Sequence, residues 1–379
     1  MSFYLAFKEI WRNKGRFMLF SMVIALITVL VLFIAALAEG LATANKEYIS
    51  KLNAQLLVFQ ENTDYSTTAS RLAYNKINSI RRVPGIADVG PIGFANGTLI
   101  FADGREDVDI ALIGVEPRKP GEPPVLQGRG IRSRGYEAIL DGKLASEQGI
   151  ALGDEIVIKT IQGTEDEFYT IKIIGITDGQ QYFFQPAVFV PFQTWDKIRP
   201  QPATGQSDLV ANVMAVRLQN PADWQAMAQT LQAKVSGVEA TDLKTAYESA
   251  PGYQAQQSTL NTQQAFTLLI GVLVIGGFFQ IQTLQKVPQI GMLKAIGTSN
   301  HTVAVAVVTQ IILVTLFGVF IGTITTLGLA FGLPSSVPII FSGQSAAFAI
   351  VALSLIGPIG GMVSVRLALK VEPLRALGM

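Results

Sequence analysis

The chain has 379 residues, 49% hydrophobic and only 15% charged, and its 29 basic and 28 acidic side chains leave a net charge of +1. That composition is too apolar for an ordinary soluble enzyme and points to a membrane protein, while the charge balance gives no bias toward nucleic acid. The absence of cysteine excludes disulfides, thiolate catalysis and cysteine metal sites, and the single histidine, His301, excludes a multi-histidine metal centre.

Residues 1–16 come first. Phe3, Phe7, Ile10 and Trp11 recur at helical spacing with Lys8, Arg12 and Lys14 between them, the pattern of a basic amphipathic helix on the inner membrane face. Phe17–Ala38 is then free of charge, and the first span is placed at 17–41. About twenty apolar residues make a helix roughly 30 Å long, enough to cross the hydrocarbon core. A signal peptide cleaved near Ala36-Leu37-Ala38 is the alternative, but its apolar core would be shorter than this run.

Residues 42–260 have the texture of a mixed α/β domain. Strands are predicted at Gln55–Gln60, Thr98–Phe101, Val108–Val115, Glu155–Thr160, Thr170–Thr177, Ala187–Pro191 and Val213–Leu218, and helices at Ser66–Arg82 and Pro221–Val235. The run 139–156 reads as strand, helix, turn, strand, and Lys119–Pro124 as a Gly-Pro-rich break. Glu165, Asp166 and Glu167 read as a solvated turn rather than a catalytic set.

The second span covers 261–285, a cytoplasmic segment 286–301, the third span 302–330, an uncharged external loop 331–344, the fourth span 345–365 and a cytoplasmic tail 366–379. In the segment after span two, Ile290, Leu293 and Ile296 are spaced to share one helix side. The basic residues Lys8, Arg12, Lys14 and Arg16, then Lys286 and Lys294, then Arg366, Lys370 and Arg375 all fall on one side of the membrane if there are four spans. Both termini are therefore expected inside, in the cell (inner) membrane. The expected fold is a membrane protein with four transmembrane α-helices and one large extracytoplasmic mixed α/β domain between helices one and two.

No G-x-x-x-x-G-K-[ST], H-E-x-x-H or G-x-S-x-G occurs, so no catalytic residue and no metal site is assigned, and nucleotide hydrolysis is not expected of this chain. The apolar runs of the spans, Phe17–Ala38 in the first, lack Asp, Glu, Lys and Arg, which argues against a proton-driven transporter or ion channel. Gln280, Gln282 and Gln310 read as interhelical glue, His301 as an interfacial polar residue, and Gly318/Gly322, Gly328/Gly332 and Gly357/Gly361 as close-packing pairs.

With that layout, Gln289-Ile290-Gly291-Met292-Leu293-Lys294-Ala295-Ile296-Gly297 after span two and Val371-Glu372-Pro373-Leu374-Arg375-Ala376-Leu377-Gly378 at the end resemble permeases of the FtsX/MacB superfamily of ABC systems. Gln289 and the preceding Val287-Pro288 depart from that family's pattern, in which many members carry Glu at the first position. A narrower resemblance is to heme-exporter permeases of the HrtB type. It rests on Leu5–Ile10 with Lys14–Phe17, on Leu37–Leu41, on Gly252–Asn261 and on Thr283–Gly291. Gln256 stands where that group often has Glu.

The resemblance implies an exporter permease that works with a separate ABC ATPase and a second copy of itself. It would expel a hydrophobic substrate, heme in the narrower resemblance, from membrane lipid by mechanotransmission. ATP would be bound by the partner, and no cofactor is implied for this chain. Residues Lys286, Gln289, Ile290, Gly291, Leu293, Lys294, Ala295 and Gly297 would couple to the ATPase, and Tyr253, Gln256 and Gln257 would meet the substrate. A lipid or drug as substrate stays open, as do dependence on a periplasmic adaptor and a substrate-free sensor role.

Overall fold

The computed structural model describes residues 7–8, 11–201, 209–333, 337–341 and 343–370. The chain forms two compact units, one of Met1–Leu41 with Gln257–Met379 and one of Ala42–Gln256. Phe3, Ile10 and the terminal motif 371–378 lie outside the described residues.

The first unit is a bundle of helices. Four are long and apolar enough to cross a membrane: Lys14–Ser50, Tyr253–Gln285, Asn300–Gly332 and Ala346–Lys370, the last belonging to a helix that starts at Gly343. Their facing sides share one core, with Ile24 and Val31 of the first helix, Ile275 and Phe279 of the second, Ile311 and Val314 of the third and Leu353 of the fourth. Leu273, Phe320 and Phe348 turn outward and are more than three-fifths exposed, as side chains in lipid would be. Ahead of the bundle, Phe7 and Trp11 stack at 6.2 Å and are both exposed, one turn apart on the same face.

Glycine sets how closely these helices approach. A Cβ on Gly318 or Gly322 would fall within 3 Å of the first helix, on the Ile24 or Thr28 side chain and on the Ser21 or Ala25 carbonyl. Gly357 and Gly361 do the same for the fourth helix against Thr315 and Ile311 of the third. Gly328 and Gly332, expected to pack in the same way, have nothing within 4 Å and are exposed. The spacing permits close approach, but these two residues face away from the other helices. Gln310 is buried and accepts a hydrogen bond from Lys286, and Gln282 is buried, whereas Gln280 is exposed.

The second unit is built on strands β1 (Leu56–Gln60), β2 (Leu72–Ala73), β3 (Ile86–Ile100), β4 (Val108–Val115), β5 (Val125–Gly128), β6 (Glu137–Leu140), β7 (Glu155–Gln162), β8 (Glu165–Thr177), β9 (Gln181–Tyr182), β10 (Gln185–Pro191), β11 (Val210–Ala211), β12 (Val213–Leu218) and β13 (Val238–Asp242). They form one mixed sheet in the order β13-β1-β12-β3-β4-β10-β6-β8-β5, with β7 on β3 and β8 and β9 on β10; β11 pairs β2 apart from it. Central strands are buried on both faces. In β1, Leu56 and Val58 enter one core while Leu57 and Phe59 enter the other, and Met214 and Val216 alternate with Val213 and Ala215 in β12. This is why these stretches read as continuous apolar runs.

The helix expected over Ser66–Arg82 is only Lys76–Arg81. Upstream, the Arg71 N–H donates to Gln60 Oε1 and the Thr67 and Ser70 carbonyls accept from Asn212 Nδ2, so side chains from outside the stretch take backbone groups that a helix would pair. Leu72–Ala73 is drawn into pairing with Val210–Ala211. Glu165, Asp166 and Glu167 are exposed, but they open β8 rather than form a turn, because β7 pairs with them across Gly163-Thr164.

Glu137, 9% exposed at the start of β6, accepts from Arg129 Nη2 at 2.6 Å and from the Arg132 backbone N–H. Burial pushes its carboxyl up, but the Arg129 pair and the Arg132 N–H outweigh burial and hold it below the usual carboxylate range. A carboxyl depressed in the folded state stabilises at neutral pH, and that contribution is lost as pH falls through the folded value. Glu137→Gln is therefore expected to cost about 1–2 kcal/mol at pH 7. The difference from wild type should shrink below about pH 4. Urea unfolding of the full chain at both pH values checks this, and a pH-independent penalty would contradict it.

Candidate functional site

Two places carry the candidate residues. The first is the short helix Val287–Ala295 that follows the second spanning helix. Pro288 lies in its first turn, where a missing N–H costs nothing. It stops at Gly297, whose φ of +95° is open to glycine. There the Gly297 N–H donates to the Lys294 carbonyl at 3.0 Å and the Thr298 N–H to the Leu293 carbonyl at 3.1 Å, a Schellman closure. Ser299 then caps the third spanning helix by accepting from the Thr302 N–H. His301 is exposed in that helix's first turn.

Ile290 docks the short helix. It is 6% exposed and packs with Val303 of the third spanning helix and Ala368 of the fourth, and the adjacent Gly291 is buried too. Gln289, Met292, Leu293 and Ile296 form the opposite, solvent-facing stripe, with Met292 56%, Leu293 41% and Ile296 79% exposed. The spacing placed Ile290, Leu293 and Ile296 on one side, and the structure splits them. Steps of three residues fall short of a full turn, so the set drifts around the helix until only its first member meets the bundle. Ala295 is exposed as well.

The two lysines of this segment turn toward their own bundle. Lys286 Nζ donates to Gln310 Oε1 at 3.2 Å and lies over the Phe17 ring at 5.5 Å. Lys294 Nζ donates to the Leu369 carbonyl at 2.8 Å, in the last turn of the fourth helix, where a cation also meets the negative helix end. Arg16 Nη2 donates to Gln285 Oε1 at 2.7 Å. Lys8 and Arg12 border the same cleft as Lys286, Gln289 and Leu293. Gln310 and Met292 complete this site; neither was read as part of it, although Met292 lies one turn beyond Gln289 on the same face.

The second place is the start of the helix Tyr253–Gln285. Tyr253 is 8% exposed, its ring meeting the Tyr247 ring edge-on at 5.9 Å. Gln256 is half-buried in the same unit. Gln257, the first residue of the helical unit's second segment, is half-buried, and its Nε2 has no partner among the described residues. Tyr247 had no sequence signal, because the pairing crosses from one helix to the next. Among the described residues, no group of three or more His, Asp and Glu side chains could hold a metal ion.

The MacB-like periplasmic core domain family matches residues 17–234, more than half of the chain, and the FtsX-like permease C-terminal family matches residues 264–373. The chain belongs to the MacB/FtsX family of ABC transporter permeases. As a MacB/FtsX permease with four helices able to span a membrane, it is a multi-pass membrane protein. Permeases of this type are not themselves catalytic, and the family implies an ATPase partner. MacB/FtsX relatives similar over their full length include HrtB of Staphylococcus haemolyticus, named for a hemin transport system, 27% identical over 374 residues and 99% of each chain. HrtB of Staphylococcus epidermidis is 26% identical with the same coverage. An ABC transporter permease of Mycobacterium tuberculosis is 20% identical over 378 residues, again 99% of each chain. Among solved structures, the extracellular domain of the transporter YknZ is 17% identical and covers 50% of this chain and 100% of its own, with a TM-score of 0.36. The periplasmic region of MacB from Actinobacillus actinomycetemcomitans is 14% identical and covers 52% of this chain and 92% of its own, with a TM-score of 0.36.

Proposed function

We propose that this permease is the membrane-spanning subunit of an exporter that pairs with a second copy of itself and with a separate ATPase, and that it expels an apolar substrate, heme first among the candidates, from the outer leaflet by mechanotransmission. Both termini and the 286–301 segment face the cytoplasm in this reading, and the α/β domain faces outward. The observation that carries it is the exposed stripe of Gln289, Met292, Leu293 and Ile296 on a helix anchored from behind. Contiguous apolar side chains on an exposed helix mark a contact surface. Gln289, Leu293 and Ala295 meet the ATPase, while Lys286, Ile290, Gly291, Lys294 and Gly297 hold the helix in place. A push on the stripe then reaches the third and fourth helices through Ile290 and the Lys294–Leu369 bond.

Heme as substrate is supported by the names of two relatives and by a phenol at Tyr253, a side chain that serves as a heme ligand in some proteins. Tyr253, Gln256 and Gln257 are the substrate-side residues of this proposal. Hemin titration of the permease–ATPase complex in nanodiscs tests it. A saturable Soret change is expected, with hemin-stimulated ATP hydrolysis, and Tyr253→Phe and Gln256→Ala should each weaken binding by roughly tenfold. No Soret change in wild type would remove heme and leave the permease assignment standing. An ATPase indifferent to the permease would remove the coupling itself.

A further inference from the structure

Where the second spanning helix ends and the third begins, a cleft of about 350 Å³ is bordered by three cations, Lys8, Arg12 and Lys286, and walled by Val303, Ala306 and Val307 of the third helix. Among the described residues that line it, none is acidic. We infer that it seats the phosphate headgroup of an anionic phospholipid, with the start of the acyl chains against the apolar wall. The lipid belongs to the leaflet that the 286–301 segment faces, the inner one, and that placement rests on the orientation proposed above.

Two stretches far apart in the chain supply the charge. Lys8 and Arg12 are four residues apart, one helical turn, and both are exposed. Lys286 follows the second spanning helix and is held at the cleft by Gln310 Oε1 at 3.2 Å and by the Phe17 ring. Arg16 does not contribute, since its guanidinium donates to Gln285. Like charges around one concave space repel, and an anion between them removes that cost. An arginine fork and two ammonium groups match the several oxygens of a phosphate.

The surroundings select a lipid over a free phosphate. Phe7 and Trp11 each precede a cleft cation by one residue, and neither lines the cleft. They stack on each other and are 56% and 71% exposed. An exposed aromatic pair beside basic residues at the end of a span suits the headgroup layer, with rings toward the hydrocarbon and charges toward phosphate. Val303, Ala306 and Val307 add apolar surface near the start of the third helix, which a soluble phosphate would leave uncovered. Basic pockets between spanning helices at this level bind anionic headgroups.

The test uses the full chain in nanodiscs of phosphatidylcholine with a minor share of phosphatidylglycerol, one or the other brominated in its acyl chains, and reads quenching of Trp11. Trp195 and Trp224 lie in the α/β unit, and Trp11→Phe supplies their background. Quenching by phosphatidylglycerol should saturate, with a preference over phosphatidylcholine of roughly tenfold or more. Lys8→Gln, Arg12→Gln and Lys286→Gln should each reduce that preference roughly fivefold, the factor that one basic residue near an anionic surface supplies. Lys8 and Arg12 are exposed, so their variants keep the bundle folded whatever Lys286→Gln does. Lys14→Gln removes a cation of the same segment that does not line the cleft, and should change the preference by less than about twofold. Equal preference for the two lipids overturns the assignment. Equal losses from Lys14→Gln and Lys8→Gln reduce the effect to general surface attraction and overturn it too. Displacement of phosphatidylglycerol by about 10 mM glycerol phosphate assigns a free phosphate instead and overturns the lipid. Neither ATPase nor heme enters the measurement, so a failed exporter reading would leave this result unaffected.

Discussion

The double replacement Leu293→Glu with Ile296→Glu is expected to abolish ATPase-dependent export while leaving the helical bundle folded. Ile296 is 79% and Leu293 41% exposed, so the isolated permease loses little packing and its stability should move by less than about 1 kcal/mol. In the complex, the same positions would force two carboxylates into an apolar contact without partners. Burying an unpaired charge costs several kcal/mol, and each 1.4 kcal/mol is about tenfold, so ATPase affinity should fall by at least roughly a hundredfold. Co-purification of the ATPase with the tagged permease and export from reconstituted vesicles are the readouts. Ile290→Glu serves as the contrast. It strikes the contact with Val303 and Ala368 and should lower bundle stability as well as coupling. Export unchanged in the double variant would sink the role given to this helix.

The second large effect is expected where the second and fourth spanning helices cross. A Cβ on Gly276 would lie 2.7 Å from the Gly360 carbonyl oxygen, and one on Gly360 would lie 2.7 Å from the Val272 carbonyl and 3.0 Å from the Gly276 nitrogen. These neighbours are backbone atoms, which cannot rotate away as a side chain would. Alanine at either position must push the helices apart, at a cost of about 1–3 kcal/mol. That exceeds the roughly 0.5–1 kcal/mol gained by replacing a helical glycine with alanine. Gly360→Ala should therefore lower the thermal midpoint in detergent, and Gly360→Leu should yield no folded bundle. Gly328→Ala, with nothing within 4 Å, should be neutral or slightly stabilising. A Gly360→Ala midpoint equal to wild type would show that the crossing is looser than its geometry requires.

How legible these features were depends on the distance over which each is decided. The spanning helices were readable because apolar length is a local property, and strands such as Val108–Val115 and Val213–Leu218 were readable because burial on both faces leaves an unbroken apolar run. The Ser66–Arg82 helix was misread because its centre pairs with Val210–Ala211, far along the chain. The segment after span two was singled out by its motif, but which side of it docks on the bundle was not. Ile290 and Leu293 are equally apolar, and only the positions of Val303 and Ala368 separate them. The Gly276–Gly360 crossing gave no signal, since each glycine is ordinary until its partner is known.

By itself, the amino-acid sequence determined that this chain crosses a membrane in four helices with an α/β domain between the first and second. Long uncharged runs have no other stable arrangement in lipid, and alternating or continuous apolar patterns dictate a sheet. Only the tertiary structure decided which face of the short helix after span two is held and which is offered. It alone brought Lys8, Arg12 and Lys286 around one cleft. Those choices depend on which surfaces meet across hundreds of residues, and local pattern carries no record of them.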